Sequence, residues 1–323
     1  MLGGASLAIS RSSYFLTREA KKNAADLYIG HNLGALGAAV KAAKRHHAKC
    51  GFDAEDFHRN ELTDDENDPR VKLVVHLEQK YIPQLDYLTA SSPQIADAYA
   101  LLFNRKVTTL LNAFPAKKEF NPVNNRNGNL KLFWFSQTIG PNRGLETIIE
   151  AINIANIPIE LHLLGFHPDT AYNNSLSKLA KDAGQNCFLY FHDPVPPDSI
   201  FDIAILFDIG LAAEPGFCIN NNIALSNKLF TYLQSGLAVV ASNTKAQKAF
   251  LVLYPDIGEL YSTAKGLADI LVAFHKDRTL LYLTKEHNIK IGYELLNWEY
   301  EREKFLRLLR EILDITTTTV PLK

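Results

Sequence analysis

The sequence predicts an α/β protein of two domains, each with parallel strands flanked by helices. Strand and helix signals alternate along most of the 323 residues, which is the pattern of parallel sheets covered by helices. Apolar residues make up 47% of the chain, so it can bury a sizeable core and exceeds the usual size of one domain. A polar stretch at 121–129, "NPVNNRNGN", interrupts the alternation and is the predicted linker.

The first half contains four predicted strands that alternate with helices, and one of them is the short strand "DYLTAS". A buried strand, "ADLYIGHN", precedes a helix at 35–50 that Gly51 is expected to end, and "CGFDAEDF" holds the end of the next strand. The segment "SPQIADAYALLF" predicts a helix started by proline, and "VTTLLNAF" predicts a strand before the linker.

The second half repeats strand–helix units, beginning with "LKLFWFS" and "GLETIIEAINIA". Further strands are predicted at "IELHLLGF", "CFLYFH", "ILFDIGLAA" and "LAVVAS". Ligands of such folds lie at the carboxyl ends of the strands, so the turns after the strands are the candidate sites.

Composition and charge exclude several classes of protein. Lys and Arg number 34 against 35 Asp and Glu, so no global charge favours a nucleic-acid partner. The three cysteines, Cys50, Cys187 and Cys218, form no CxxC pair, which argues against a disulfide framework or a zinc site. The sequence has no basic leader and no run of about eighteen apolar residues, so we expect a cytoplasmic protein.

The segment "FSQTIGPNRGLETIIEAI" predicts an anion site. The predicted strand ends at Ser136, the turn holds Gly140 and Gly144, and the helix begins near Leu145. Free backbone N–H groups at the start of a helix bind anions, and the Arg143 guanidinium matches phosphate oxygens. The alternative is that the glycines only shape the turn and Arg143 is solvated. The segment lacks both the dinucleotide fingerprint and the P-loop lysine.

A second turn, in "EPGFCINNNIALSNKLFTYLQSGLAVVAS", predicts the same chemistry. Ser226 is the expected N-cap of a helix that Gly236 ends. Lys228 in the first turn opposes the helix dipole, a misfit that a bound anion would offset. The alternative is that Lys228 extends into solvent. Together, Arg143 and Lys228 predict a clamp for a diphosphate.

These two segments resemble those of the GT-B fold retaining glycosyltransferases of family 4. "DLYIGHN", "CGFDAEDF" and the closing "NWEYEREKFLRLL" are similar to strands and the final crossing helix of that family, so the resemblance covers most of the chain. It implies two Rossmann-like domains facing a cleft. We expect an acceptor-side domain at 1–122, shortened at its amino end, a donor-binding domain at 123–297, and a helix at 298–314 that returns toward the first domain.

The resemblance implies transfer of a sugar from a nucleoside diphosphate sugar, with retention, to a glycan or lipid-linked acceptor. No metal and no cofactor other than the donor are implied. By matching positions, Arg143 and Lys228 would neutralise the diphosphate, and His31 would face the donor sugar. The other residues implied to bind the donor are Gln137, Thr138, Gly140, Ser226, Asn227, Thr231 and Glu214. The alternative for Glu214 is that it lies in a solvated loop and does not contact the donor.

Departures from the family pattern keep other functions open. Ile223 and Thr231 stand where the family carries a pair of glutamates, and the amino end lacks several strand–helix units. A catalytically degenerate nucleotide-sugar-binding protein is therefore the alternative, and an epimerase on the same fold is a third. The basic residues of the 35–50 helix predict peripheral contact with the inner face of a membrane, against the alternative of a solvated face.

Overall fold

The structure is a computed structural model, and it describes residues 8–117, 128–182, 184 and 186–314. Most of the predicted linker, 121–127, lies outside the described residues. The chain divides into two compact units. The first consists of Met1–Asn112, Gly216–Leu225 and Tyr300–Lys323, and the second of Ala113–Pro215 and Ser226–Glu299.

The first unit is built on a parallel sheet in the order β1-β2-β3-β4. Its strands are β1 (Leu27–His31), β2 (Lys49–Ala54), β3 (Tyr87–Ala90) and β4 (Thr108–Thr109). Its helices are α1 (Ser13–Ala20), α2 (Asn32–His46), α3 (Pro69–Tyr81), α4 (Pro93–Phe103), α8 (Ile219–Ile223) and most of α13 (Trp298–Ile312). Short 3₁₀ turns at His58–Asn60 and Ile82–Gln84 complete it.

Two sequence expectations in this unit need correction. The helix expected at 35–50 spans Asn32–His46, and His47, with φ 55°, ends it. Gly51 does not end that helix but lies within β2. A Cβ atom on Gly51 would lie 2.0 Å from the Tyr87 ring, so the glycine is needed for close strand packing rather than for a helix end.

Two distant segments pack into the first unit. Asn220 of α8 accepts a hydrogen bond from the Phe57 backbone N–H (2.7 Å), although the sequence places 216–225 inside the second domain. In α13, the Glu301 carboxylate accepts from the Leu111 N–H at 3.0 Å. The unit therefore combines residues from three parts of the chain.

The second unit contains a six-stranded parallel sheet in the order β10-β9-β8-β5-β6-β7. Its strands are β5 (Leu130–Thr138), β6 (Ile159–Phe166), β7 (Cys187–His192), β8 (Ile209–Ala212), β9 (Ala238–Ser242) and β10 (Gly258–Tyr261). Its helices are α5 (Leu145–Ala155), α6 (Thr170–Asp182), α7 (Ser199–Ala204), α9 (Lys228–Gln234), α10 (Lys245–Leu253), α11 (Ala264–Lys276) and α12 (Arg278–Glu294), with a 3₁₀ turn at Pro255–Ile257.

The core of the second unit follows the apolar face predicted for α5. Leu145, Ile148, Ile149 and Ile152 are each at most 1% exposed and pack in one cluster with the strands. The α/β class with two parallel sheets is thus confirmed. In the described residues the first sheet has four strands and the second has six, one more than the five that the sequence predicts. Among the same residues, no helix is both long and apolar enough to cross a bilayer.

Candidate functional site

The carboxyl ends of β5, β8 and β9 lie at one edge of the second sheet, because these strands are parallel neighbours. The turn after β5 is held by a hydrogen bond from the Ile139 N–H to the Phe166 carbonyl (2.8 Å). Gly144 has φ 75°, and a Cβ atom there would lie 3.3 Å from the Ala213 Cβ. The turn that carries Arg143 is therefore packed beside the loop that follows β8.

The groups expected to bind a phosphate are accessible on this turn. Gln137, Thr138 and Arg143 are exposed, and Arg143 makes no ion pair with any residue that the structure describes. Gly144 is the N-cap of α5 and supplies no capping side chain. A Cβ atom on Gly140 would meet nothing within 4 Å. Uncapped N–H groups beside an exposed guanidinium are the chemistry of an anion site.

The loop after β8 carries a nearly buried ion pair. Lys228 Nζ lies 2.7 Å from Glu214 Oε1, and both side chains are only 12% exposed. The Ser226 hydroxyl donates to the same carboxylate oxygen at 3.0 Å. Lys228 Nζ also lies 5.7 Å from the centre of the Trp134 ring. The structure thus contradicts both a solvated Glu214 and a Lys228 extended into solvent.

Glu214 is itself held in place by the end of β9. Its backbone N–H donates to the Ser242 hydroxyl oxygen (2.8 Å), and the Ser242 hydroxyl donates to the Glu214 carbonyl (2.7 Å). The Gln247 amide of α10 also donates to Ser242 Oγ at 2.9 Å. These contacts hold the Glu214 backbone at the edge of the sheet, and its carboxylate binds the Ser226 hydroxyl and the Lys228 ammonium.

The expectation that Ser226 caps the helix is wrong by one residue. The N-cap of α9 is Asn227, whose side chain makes no capping hydrogen bond, and Lys228 is the first helical residue. The Ser226 hydroxyl is bonded to Glu214 instead. Asn227 is exposed, whereas Thr231 is 1% exposed inside the helix. A donor contact by Thr231 stays a prediction.

The other position at which the resembling family has a glutamate is apolar and buried. Ile223 is 6% exposed and packs in the core of the first unit. Its carbonyl accepts a hydrogen bond from the Ser92 hydroxyl at 2.7 Å. Ile223 therefore has no carboxylate that could bind a ribose or a sugar hydroxyl.

In the first unit, His31 lies at the end of β1 and faces the carboxylate of Asp53. The two residues are register partners in the sheet, and His31 Nδ1 lies 3.2 Å from Asp53 Oδ2. The Thr89 hydroxyl donates to the other oxygen of Asp53 at 2.9 Å. A carboxylate that accepts from Nδ1 leaves Nε2 of a neutral imidazole as a hydrogen-bond acceptor. The His31 side chain is 61% exposed, so Nε2 is accessible to a ligand.

Sequence reasoning missed Asp53 as a partner of His31. The signal was available, because both residues lie at the carboxyl ends of consecutive strands. Glu55 joins them, and the possible metal-ligand atoms of His31, Asp53 and Glu55 all lie within 4.8 Å of one another. The expectation of a metal-free protein stays a prediction that a chelator can test.

Comparison with known proteins gives a likeness in structure only. No family model matches the chain, and no curated protein sequence matches it. The sucrose-phosphate synthase of Thermosynechococcus elongatus superposes with a TM-score of 0.71 at 15% identity, covering 90% of this chain and 74% of that one. HepE of Anabaena, in complex with UDP and glucose, gives 0.73 at 14% identity, with 94% and 83% covered. The chain has the GT-B fold.

The pneumococcal O-GlcNAc transferase GtfA, in complex with UDP and GlcNAc, is a further match. Its TM-score is 0.65 at 12% identity, with 94% of this chain and 60% of that chain covered. Identities this low relate the chain to these proteins by its fold alone. The chemistry of its own residues has to carry the functional argument.

Proposed function

We propose that the protein transfers a glycosyl group from a nucleoside diphosphate sugar to a hydroxyl-bearing acceptor. The observation that carries the proposal is the edge of the second sheet. There the uncapped start of α5 with exposed Arg143 lies beside the loop that holds the Glu214–Lys228 pair. A cluster of N–H groups with two basic side chains suits a diphosphate, and solved proteins of the same fold are complexes with UDP.

In the proposed reaction, the bond between the anomeric carbon and the phosphate oxygen breaks, and the diphosphate leaves with the electron pair. The acceptor oxygen bonds to the anomeric carbon on the same face, and its proton passes to the departing phosphate oxygen. Negative charge grows on the diphosphate in the transition state. Arg143 and Lys228 would stabilise that charge in place of a divalent metal ion, with Gln137, Thr138 and Gly140 alongside.

His31 is proposed to contact the donor sugar through Nε2. Asp53 and Thr89 would act as positioning residues, since they fix the ring orientation. His31→Ala should then lower the transfer rate while leaving the affinity for free UDP nearly unchanged.

A catalytically degenerate nucleotide-sugar binder is the second candidate, and one observation favours it. Lys228 is already neutralised by Glu214, and the positions of the two family glutamates hold buried Ile223 and Thr231. Such a protein would bind a nucleotide sugar without turnover. Both candidates predict binding, and only the transferase predicts product.

The first experiment is a thermal-shift panel of UDP, GDP and ADP with their sugars, because a ligand of the folded state raises the melting temperature. Arg143→Ala should weaken binding of the best nucleotide by about 1.5–3 kcal/mol, or about tenfold or more, because it removes a charge-assisted hydrogen bond. Lys178→Ala, at an exposed lysine of α6, is the matched control and should leave binding unchanged.

The second experiment measures transfer, or slow hydrolysis of the bound donor, with and without a chelator. Product formation that survives the chelator supports metal-free transfer, and the anomeric configuration of the product tests retention. If a donor binds but releases no product with any sugar or lipid acceptor, the transferase is excluded and the binder remains. If no nucleotide shifts the melting temperature, both candidates fail.

Cytoplasmic location with peripheral membrane contact also belongs to this proposal. Lys44 and Arg45 of α2 are exposed, which supports attraction to anionic headgroups. Sedimentation with phosphatidylserine vesicles should fall in a Lys44→Glu/Arg45→Glu variant. Equal sedimentation of variant and wild type would exclude contact through this helix.

A further inference from the structure

Three side chains at the end of the first sheet present metal-ligand atoms to one another. His31 Nδ1 and one carboxylate oxygen each from Asp53 and Glu55 all lie within 4.8 Å of one another. An imidazole nitrogen and two carboxylate oxygens are ligands that Zn²⁺ takes in proteins. The first unit therefore contains the donor atoms of a metal centre with three protein ligands.

Strand pairing, rather than a long loop, brings these ligands together. His31 and Asp53 are register partners on the parallel strands β1 and β2. Glu55 directly follows β2, two residues after Asp53. Side chains two residues apart along a strand lie on the same face of the sheet. Sites built on strands hold their ligands more exactly than sites built on loops, so the cluster has a rigid base.

The distance between the first two ligand atoms is close to that of two atoms that bind one ion. Zn²⁺ binds histidine nitrogen at about 2.0–2.1 Å and carboxylate oxygen at about 2.0–2.2 Å, so two such atoms at a tetrahedral angle lie about 3.3–3.5 Å apart. His31 Nδ1 and Asp53 Oδ2 are 3.2 Å apart. Glu55 is exposed, and rotation of its side chain can bring its carboxylate to the same ion.

The charge and the surroundings of the cluster also suit a cation. Among the described residues, neither Asp53 nor Glu55 makes an ion pair with a lysine or an arginine. Two neighbouring carboxylates repel each other, and a divalent cation between them removes that repulsion. Thr89 is 1% exposed, and its hydroxyl donates to Asp53 Oδ1 at 2.9 Å. A hydrogen bond to the second oxygen orients a ligand carboxylate toward a metal ion.

We propose that His31, Asp53 and Glu55 form a binding site for one Zn²⁺ ion. Three protein ligands leave a fourth tetrahedral position for water. The His31 side chain is 61% exposed and Glu55 lines a cavity of about 530 Å³, so solvent reaches that position. Zn²⁺ binds more tightly than Mg²⁺ here, because an imidazole nitrogen suits Zn²⁺ whereas Mg²⁺ prefers oxygen ligands.

The site goes beyond the proposed transfer reaction and regulates it through His31. A Zn²⁺ ion on Nδ1 takes the place of the hydrogen that Nδ1 donates to Asp53, so the hydrogen of the neutral ring moves to Nε2. Nε2 then donates and can no longer accept a hydrogen bond from the donor sugar. Zn²⁺ should therefore slow transfer, and this consequence alone rests on the proposed function.

Isothermal titration calorimetry of the full chain, freed of metal and of any histidine tag, tests the site without nucleotide. Zn²⁺ should bind with one-to-one stoichiometry and at least about a hundredfold more tightly than Mg²⁺. His31→Ala and Glu55→Gln should each weaken Zn²⁺ binding at least about tenfold, because each removes a ligand. Both side chains are exposed, so neither variant should impair folding.

Two further variants separate a built site from adventitious binding to surface histidines. His76→Ala is the matched control, because His76 is an exposed histidine of α3 outside the cluster, and it should keep the Zn²⁺ affinity. Thr89→Val should weaken Zn²⁺ binding about tenfold through the orientation of Asp53. No Zn²⁺ binding, or equal affinity in His31→Ala and wild type, overturns the proposal.

A transfer assay separates the metal site from its effect on the reaction. Zn²⁺ at concentrations that fill the site should lower the transfer rate of wild type, and Glu55→Gln should need at least about tenfold more Zn²⁺ for the same inhibition. Zn²⁺ binding without inhibition refutes only the regulation. Zn²⁺ binding without transfer from any bound donor refutes only the proposed function.

Discussion

Removing the Lys228 ammonium should destabilise the second unit through the carboxylate that it leaves behind. In Lys228→Met, Glu214 keeps its charge at a position where its side chain is 12% exposed. Removing one partner of a buried ion pair lowers the free energy of unfolding by about 3–5 kcal/mol. Because Ser226 still donates to Glu214 and some solvent reaches the group, we expect the lower end, about 3 kcal/mol.

The double variant is the matched control for this cost. Lys228→Met/Glu214→Gln buries no charge, so it should be less stable than wild type by only about 1 kcal/mol. A double-mutant cycle from urea denaturation should give a coupling energy of about 2 kcal/mol or more between the two residues. For a domain of this size, the single variant should melt about 6 °C lower or more.

Two results would refute this reasoning. Additive free-energy changes in the cycle would mean that the ion pair is not formed in solution. A loss below about 1 kcal/mol in Lys228→Met would match an exposed surface pair, whose contribution is that small. Either result would restore Lys228 as a side chain free to reach a phosphate without first leaving Glu214.

Three further changes test other parts of the second unit. Burial lowers the pKa of His162 from 6.5 to about 4, so between these pH values the unfolded chain binds more protons than the folded one. The free energy of unfolding should therefore fall by about 2 kcal/mol as the pH drops from 6.5 to 4. His162→Phe should flatten this pH dependence in urea titrations, and an unchanged slope contradicts the assignment. Gly210→Ala places a Cβ atom 2.2 Å from the Tyr232 ring, so it should cost about 1–3 kcal/mol in denaturation, and a neutral effect contradicts the packing. Lys285→Ala removes the ammonium 3.2 Å from Asp208, which is 4% exposed and keeps Arg278 at 4.0 Å and the Lys131 N–H as partners. We expect the lower end of the cost of breaking a buried pair, about 3 kcal/mol, whereas a loss near zero would show that the pair is not buried.

Local sequence patterns were sufficient for many elements of the fold. The helix predicted at "SPQIADAYALLF" spans Pro93–Phe103, and the Ser92 side chain caps it by accepting from the Ile95 N–H. The strands predicted at "IELHLLGF" and "CFLYFH" have the same bounds in the structure. These segments carry strong signals between neighbouring residues: a cap, a proline in the first turn, and runs of β-formers.

Weaker or nonlocal signals gave poorer predictions. Of "VTTLLNAF", only Thr108–Thr109 pairs as a strand, and Gly258–Tyr261 forms a strand that was not predicted. An apolar run becomes a strand only where a neighbouring strand is available to pair with it. Pairing partners lie far away along the chain, so the run alone does not specify its extent.

The features of the candidate site also divide into those that the local sequence predicts and those that only the folded chain shows. The turn with Arg143 and the helix that starts at Lys228 were predictable, because glycine positions and helix starts depend on adjacent residues. The pairing of Lys228 with Glu214, 14 positions apart, and of His31 with Asp53 across a strand pair required the folded chain. Sequence neighbours determine backbone conformation, whereas charge pairing and cavity shape depend on strand register and helix packing, which bring distant residues together.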